Sequence, residues 1–386
     1  MANRHTRGRL PNWFQTAFAQ RAAAGGAAQR QRLRDVLLTV SLGVVVAVVV
    51  VLGGCINVDR NGAVSNDPAI NQPTVARTWA IALHGGAGTI DRQADPALIA
   101  AYRESLERAL QRGVELVQAN GTALDVAEAV VRQLENDPLF NAGVGAALTA
   151  RGEAELDAAV MDGRTLSAGA VTGVTTVKNP ISLARLVMTN TRHVLLAREG
   201  AEEFATAMGV ERVPNSYFVT ERRKQILREV LEEQRLEDAQ KPAAKPPVNT
   251  KTAGTVGCVV RDMAGNLAVA TSTGGMSAKR YGRVGDSPLI GSGTYANNAT
   301  CAVSCTGTGE QFIRHGVARM VAARMELAGA SVDAAARHLI FNVLNKDDGG
   351  LIAVDKFGQI SMPYSSEGMY RAAADSSGLR LVKIWE

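Results

Sequence analysis

Between residues 241 and 260 the chain changes character across a single peptide bond. Lys241-PAAKPPVNTK-Thr252-Ala-Gly254 carries Pro242, Pro246 and Pro247 among lysines and small polar residues. Such a composition extends and solvates the backbone and reads as a mobile linker, over about residues 239–254. Thr255-VGCVV is its opposite, an apolar strand-like run. Ala264-Gly-Asn266 then forms a tight turn and Leu267-AVATST a second strand, so a hairpin is expected. A linker that ends where a buried strand begins marks Gly254–Thr255 as a processing site.

Threonine at a new amino terminus has a chemical use. Its hydroxyl is a weak nucleophile that needs a base, and an α-amine with a pKa of ~7.7 keeps a substantial unprotonated fraction at neutral pH. Before the cut that nitrogen is an amide and cannot accept a proton. Cleavage therefore creates nucleophile and base together, and the uncut chain is expected to be inactive.

The rest of the chain is long enough, at 386 residues, for one large or two modest folded bodies. Trp79–Leu83 reads as a buried strand running into His84-Gly-Gly-Ala-Gly88. Helical spacing covers Pro96–Gln118 and Thr122–Glu135, with Thr122 and Asp125 as start signals. Glu155–Met161 and Gly169–Val177 read as strands. A helix starts at Asn179-Pro180, and Thr220 to about Asp238 is a charged, exposed one. Helices are expected at Gly309–Leu327 and Val332–Leu344, and strands near Leu351–Val354 and Leu379–Ile384.

Charge divides the chain unevenly. Seven arginines (Arg4, Arg7, Arg9, Arg21, Arg30, Arg32, Arg34) against Asp35 give residues 1–54 a charge of +6, and the remainder nets −1. A nucleic-acid footprint requires basic charge on the folded body, so no nucleic-acid partner is expected. The same arginines precede the uncharged run Val36–Leu52, which ends in Leu52-Gly-Gly-Cys55. Its length of 17 residues lies between that of a signal segment and that of a spanning helix. Leu-Gly-Gly-Cys resembles a bacterial lipobox, making Cys55 the lipidation candidate; an uncleaved transmembrane helix is the alternative. Either way the arginines stay cytoplasmic, and a membrane-anchored body facing the periplasm or exterior is expected. Residues 55–77 read as a polar tether. Cys258 and Cys305 read as small buried hydrophobes, and no cysteine or histidine spacing supports a catalytic metal. A Cys301–Cys305 disulfide is compatible with an oxidising compartment but is not the expected state.

An ordered series of motifs frames the processing site. His84-Gly-Gly-Ala-Gly88 and Phe140-Asn-Ala-Gly-Val-Gly145 lie upstream. Downstream come Thr255-Val-Gly, Ala270-Thr-Ser-Thr273-Gly-Gly-Met, Gly282-Arg-Val-Gly-Asp286-Ser-Pro, Tyr295-Ala-Asn-Asn and Ser304-Cys-Thr306-Gly-Thr-Gly309-Glu. Together they closely resemble the plant-type asparaginases, or isoaspartyl peptidases. These are self-cleaving amino-terminal-nucleophile hydrolases, and the resemblance covers about four fifths of the chain. It implies an α+β fold, a four-layer αββα sandwich, with an α subunit at 78–254 and a β subunit at 255–386.

The resemblance also implies roles. Thr255 is the nucleophile, oriented by Thr273. Arg283 grips the substrate α-carboxylate, for which a planar guanidinium suits, and Asp286 takes the α-ammonium. Thr306 and the Gly307 N–H form the oxyanion hole, Gly309 lends its carbonyl to the substrate amine, and Asn141 orients the new α-amine or polarises the site. The glycines after His84 are expected to matter more than His84 itself, by letting backbone approach the scissile bond. The loop at Leu134, Glu135, Asp137, Phe140, Ala142 and Val144 resembles one that holds a structural sodium ion on backbone carbonyls. No catalytic cofactor is implied. Asparagine and β-aspartyl dipeptides are the expected substrates, and a dimer of cleaved αβ units the expected assembly. Glycosylasparaginase and a catalytically dead, membrane-tethered binding scaffold are the alternatives. The intact Thr255, Thr273, Arg283, Asp286 and Thr306 weigh against the second.

Overall fold

Strand β1 (Ala80–Gly88) shows how the layers arise. Ile81 and Leu83 join one core, while Ala80 and Ala82, pointing the other way, join a second. A strand covered on both faces reads as continuous apolar sequence, which is why no polar alternation marks it. The computed structural model describes residues 76–240 and 254–385. The arginine-rich segment, the apolar run, Cys55, nearly all of the tether and linker residues 241–253 lie outside the described residues.

Eight strands form a large sheet in the order β12-β11-β1-β5-β6-β2-β3-β4, and four form a smaller one, β10-β9-β8-β7. In the large sheet β2 is Leu156–Asp162, β3 Ala168–Val174, β4 Leu195–Ala197, β5 Val256–Arg261, β6 Leu267–Thr273, β11 Gly368–Asp375 and β12 Arg380–Lys383. The smaller sheet holds β7 (Thr294–Ala296), β8 (Cys301–Gly307), β9 (Gly349–Asp355) and β10 (Ile360–Ser361). Helices α1 (Pro96–Gln118), α2 (Ala123–Glu135) and α3 (Pro180–Asn190) cover the outer face of the large sheet. Between them and the other helices come α4 (Arg198–Ala207), and α5 (Glu221–Gln240). After α6 (Gly309–His315), α7 (Val317–Ala328) and α8 (Val332–His338) pack on the smaller sheet. The result is the expected αββα sandwich, with one core under α1–α3 and another running between the sheets.

Local chemistry sets the element ends. The Asp95 side chain accepts from Ala97 N at the start of α1, where Pro96 gives up no needed donor. Tyr102, Leu106, Ala109, Leu110 and Val117 bury one stripe of that helix. Thr122 caps α2 by accepting from Asp125 N. The helix expected at Gly309–Leu327 is instead two, because Gly316 takes φ 55° and ends α6. Likewise α8 gives way to a π-helical turn over Leu339–Val343. Cys258, Cys301 and Cys305 are buried and free.

Candidate active site

Thr255 stands just ahead of β5 with φ 48°, a left-handed backbone in which a β-branched residue is strained by about 1–3 kcal/mol. Its side chain is buried, and its hydroxyl donates to Thr273 Oγ1 at 3.2 Å. Gly275 N donates to the same Thr273 oxygen at 2.9 Å, which fixes that acceptor. Ser287 Oγ lies 3.4 Å from the Thr255 hydroxyl on another side.

Thr306 Oγ1 donates to the Gly254 carbonyl oxygen at 3.1 Å and itself accepts from Ala87 N at 3.2 Å. A hydroxyl whose lone pair is already engaged directs its proton at the carbonyl, the arrangement an oxyanion donor needs. The close approach of β1 depends on glycine. At Gly86, with φ 111°, a Cβ would lie 2.0 Å from the Gly254 carbonyl oxygen. The stress placed on the glycines of His84–Gly88 is met at this position.

Arg283 and Asp286 arrive on the loop after β6. A Cβ on Gly309 would lie 2.9 Å from both Arg283 Nη2 and Asp286 Oδ1, so the two charged groups converge on that backbone. Asp286 is buried, and its Oδ2 has no hydrogen-bond partner among the described residues. Burial pushes its carboxyl up to about 7, against the downward pull of Arg283. Arg283 is not free: Nε and Nη2 both donate to the Glu310 carboxylate at 2.9 Å. Thr255, Thr273, Arg283, Asp286, Ser287, Gly307 and Thr308 line one pocket. A buried carboxyl, a guanidinium and the Thr255 hydroxyl thus share one pocket, with groups that can engage an ammonium and a carboxylate.

Asn141 reaches this region through backbone. Its Nδ2 donates to Gly275 O at 2.8 Å, and its Oδ1 accepts from Ala147 N at 2.6 Å. The side chain thus braces the loop that holds Thr273. Ser287, Thr308 and Glu310 were not singled out from the sequence, although each sits within or next to a quoted motif. His84 is fully buried, with Nδ1 3.1 Å from the Thr255 carbonyl oxygen.

A family model described as asparaginase matches residues 77–384. The chain belongs to the asparaginase family. Among its relatives, the isoaspartyl peptidase of Salmonella typhimurium is 50% identical over 295 residues, 76% of this chain and 94% of that protein. The probable isoaspartyl peptidase/L-asparaginase 2 of Arabidopsis thaliana is 45% identical over 328 residues, 80% of this chain and 99% of its own. The human isoaspartyl peptidase/L-asparaginase is 42% identical over 297 residues, 76% and 92% of the two chains. The family match begins at residue 77, so residues 1–76 lie outside the matched region.

Proposed function

We propose that this chain is a self-cleaving isoaspartyl peptidase with L-asparaginase activity, using Thr255 as its nucleophile. The observation that carries the proposal is the pairing at the scissile bond. The Thr306 hydroxyl is aimed at the Gly254 carbonyl oxygen, and the strained Thr255 presents its own hydroxyl to Thr273. The names of the relatives supply the substrate class.

In self-cleavage the Thr255 oxygen adds to the Gly254 carbonyl carbon, and Thr306 stabilises the oxyanion. The hydroxyl proton passes to the Thr255 nitrogen as the C–N bond breaks, leaving an ester on Thr255 and a free α-amine, and φ at Thr255 is released with the peptide bond. Water then hydrolyses the ester, giving a carboxylate on Gly254 and a regenerated hydroxyl. In turnover the α-amine takes the hydroxyl proton as Thr255 attacks the β-carbonyl of asparagine or of a β-aspartyl peptide. Thr306 and the Gly307 N–H hold the new oxyanion, a contribution of about 3–4 kcal/mol for one such donor. The proton returns to the departing amine or ammonia, and water cleaves the acyl-enzyme. Arg283 takes the substrate α-carboxylate, in exchange for or alongside Glu310. The Asp286 carboxylate, with the Gly309 carbonyl, takes the α-ammonium.

The loop 134–144 suits a structural sodium ion. Gly143 and Gly145 have φ 52° and 86°, and a Cβ would fall 2.2 Å from Glu135 O and 2.4 Å from Pro138 O. Phe140 O lies 2.9 Å from the same Gly145 position, so side-chain-free backbone lets the carbonyls converge. Bound there, the ion would supply charge that stiffens the loop next to Asn141. A dimer of cleaved units and a lipid or transmembrane anchor complete the proposal.

The test is the amino-terminal sequence of the smaller fragment, with activity on β-aspartyl dipeptide, asparagine and glycosylasparagine. A fragment starting at Thr255, active on the first two, is expected, and Thr255→Ala should remain one inactive chain. Any other first residue overturns the nucleophile, and preference for glycosylasparagine overturns the substrate class.

A further inference from the structure

His84 is a buried ionisable side chain touching Thr255 that the chemistry above leaves unused. It lies in a row across the large sheet: His84 on β1 pairs with Gly257 on β5, and Gly257 pairs with Thr271 on β6. Ser304, on β8 of the smaller sheet, closes over this row. His84 Nε2 is 2.9 Å from Ser304 Oγ, and Thr271 Oγ1 is 2.8 Å from the same oxygen. Gly257 makes the arrangement feasible, since a Cβ there would sit 2.0 Å from Ser304 Oγ and 2.5 Å from His84 Nε2.

Hydrogen-bond directions follow from what each atom can do. The Thr255 carbonyl oxygen only accepts, so Nδ1 carries the ring proton. Nε2 of the neutral ring then accepts from Ser304, whose single proton is thereby used, and Ser304 accepts from Thr271. The β1–β5 pairing ends at His84 and Gly257, so the Thr255 carbonyl lies beyond the ladder and takes its hydrogen bond from a side chain.

We propose that His84, held as its Nδ1–H tautomer by Ser304 and Thr271, is a positioning residue that fixes the Thr255 carbonyl, and through it the nucleophile, in both self-cleavage and turnover. The inference rests on Thr255 being the nucleophile. Anchoring the carbonyl side of Thr255 resists relaxation of its left-handed backbone, and so holds the hydroxyl beside Thr273 and against the Gly254 carbonyl. After the cut, the same bond sets the direction of the new amino terminus. Burial lowers the imidazole pKa to about 3, so the ring stays neutral at working pH and Nε2 remains an acceptor.

Three measurements on the full-length chain test this. His84→Leu, which fills the space without a donor, should slow self-cleavage by about tenfold to a hundredfold. His84→Asn, whose amide nitrogen can take the place of Nδ1, should restore much of the rate. In whatever protein matures, His84→Leu should lower kcat on asparagine while KM stays within about twofold, because Arg283 and Asp286 still hold the substrate. In uncut Thr255→Ala protein, nitrogen NMR should find the non-titrating histidine protonated at Nδ1. This reading survives even if the His84 variants fail to fold. A proton on Nε2, maturation of His84→Leu at the wild-type rate, or no gain from His84→Asn overturns the role. Sequencing the wild-type fragment reads Thr255 separately, so a normal Thr255 terminus with any of these results removes His84 alone.

Discussion

Asp286 is the residue whose surroundings make the sharpest demand on pH. Its buried carboxyl, raised to about 7, is largely protonated in mildly acidic solution, and a neutral acid has no charge to offer an ammonium. Substrate binding should therefore weaken as pH falls, with KM for asparagine rising by up to about tenfold per pH unit below about 7. The base follows a different group: kcat should fall as the Thr255 α-amine, near ~7.7, becomes protonated. Separate pH profiles of kcat and KM distinguish the two. Asp286→Asn should have a high KM that no longer varies over this range, and a slope unchanged in the variant would assign the KM profile to another group. At this scale the sequence singled out Thr255, Thr273, Arg283 and Asp286, which the structure brings to one pocket, because residue type and motif order mark them. It did not disclose that Arg283 pairs with Glu310, or that Ser287 faces the Thr255 hydroxyl. Which partner a guanidinium takes depends on how the loop after β6 closes on α6, and no local pattern encodes that.

Among the elements, α1 and α2 were legible almost to the residue, since a cap and a 3.6-residue stripe coincide at each, with a proline added at the start of α1. β11 was not. Its Arg371-Ala-Ala-Ala-Asp375 would suit a helix, and it is a strand because it is sandwiched between β12 and β1. β4, β7 and β10 are too short to leave a periodic signal. β1 was foreseen only to Leu83, yet it runs on through the glycines to Gly88, and this extension brings it against the scissile carbonyl. Gly86→Ala tests what the extension does. With φ 111° and 2.0 Å between a Cβ and Gly254 O, the methyl must displace either the strand or the bond. The expected product is an uncut chain whose cooperative melting survives at reduced temperature. Wild-type cleavage would mean that β1 does not need to lie so close.

On the scale of the whole molecule, the segment before the asparaginase body has its own test. Val36–Leu52 and Cys55 lie outside the described residues, and among the described ones no helix is long and apolar enough to cross a membrane. If Leu52-Gly-Gly-Cys55 is read as a lipobox, wild type should incorporate labelled fatty acid and lose residues 1–54, and Cys55→Ser should do neither. Retention of residues 1–54 by unlabelled wild type would leave a plain transmembrane anchor. The body makes a second demand, through its strand order. A cut at Gly254–Thr255 leaves β1–β4 in the first fragment and β5–β12 in the second. In the large sheet these alternate: β12 and β11 from the second, β1 from the first, β5 and β6 from the second, then β2, β3 and β4 from the first. Strand β1 is hydrogen-bonded on both edges to strands of the other fragment, and β6 is paired with β2 across a third seam. Both cores also draw residues from the two sides of the cut. Separating the fragments would expose both cores and break three ladders at once, which amounts to unfolding. The cleaved protein should therefore elute as one species in native size-exclusion chromatography, melt in one transition, and release its fragments only in denaturant. Fragments that part in native buffer would contradict the interleaved sheet.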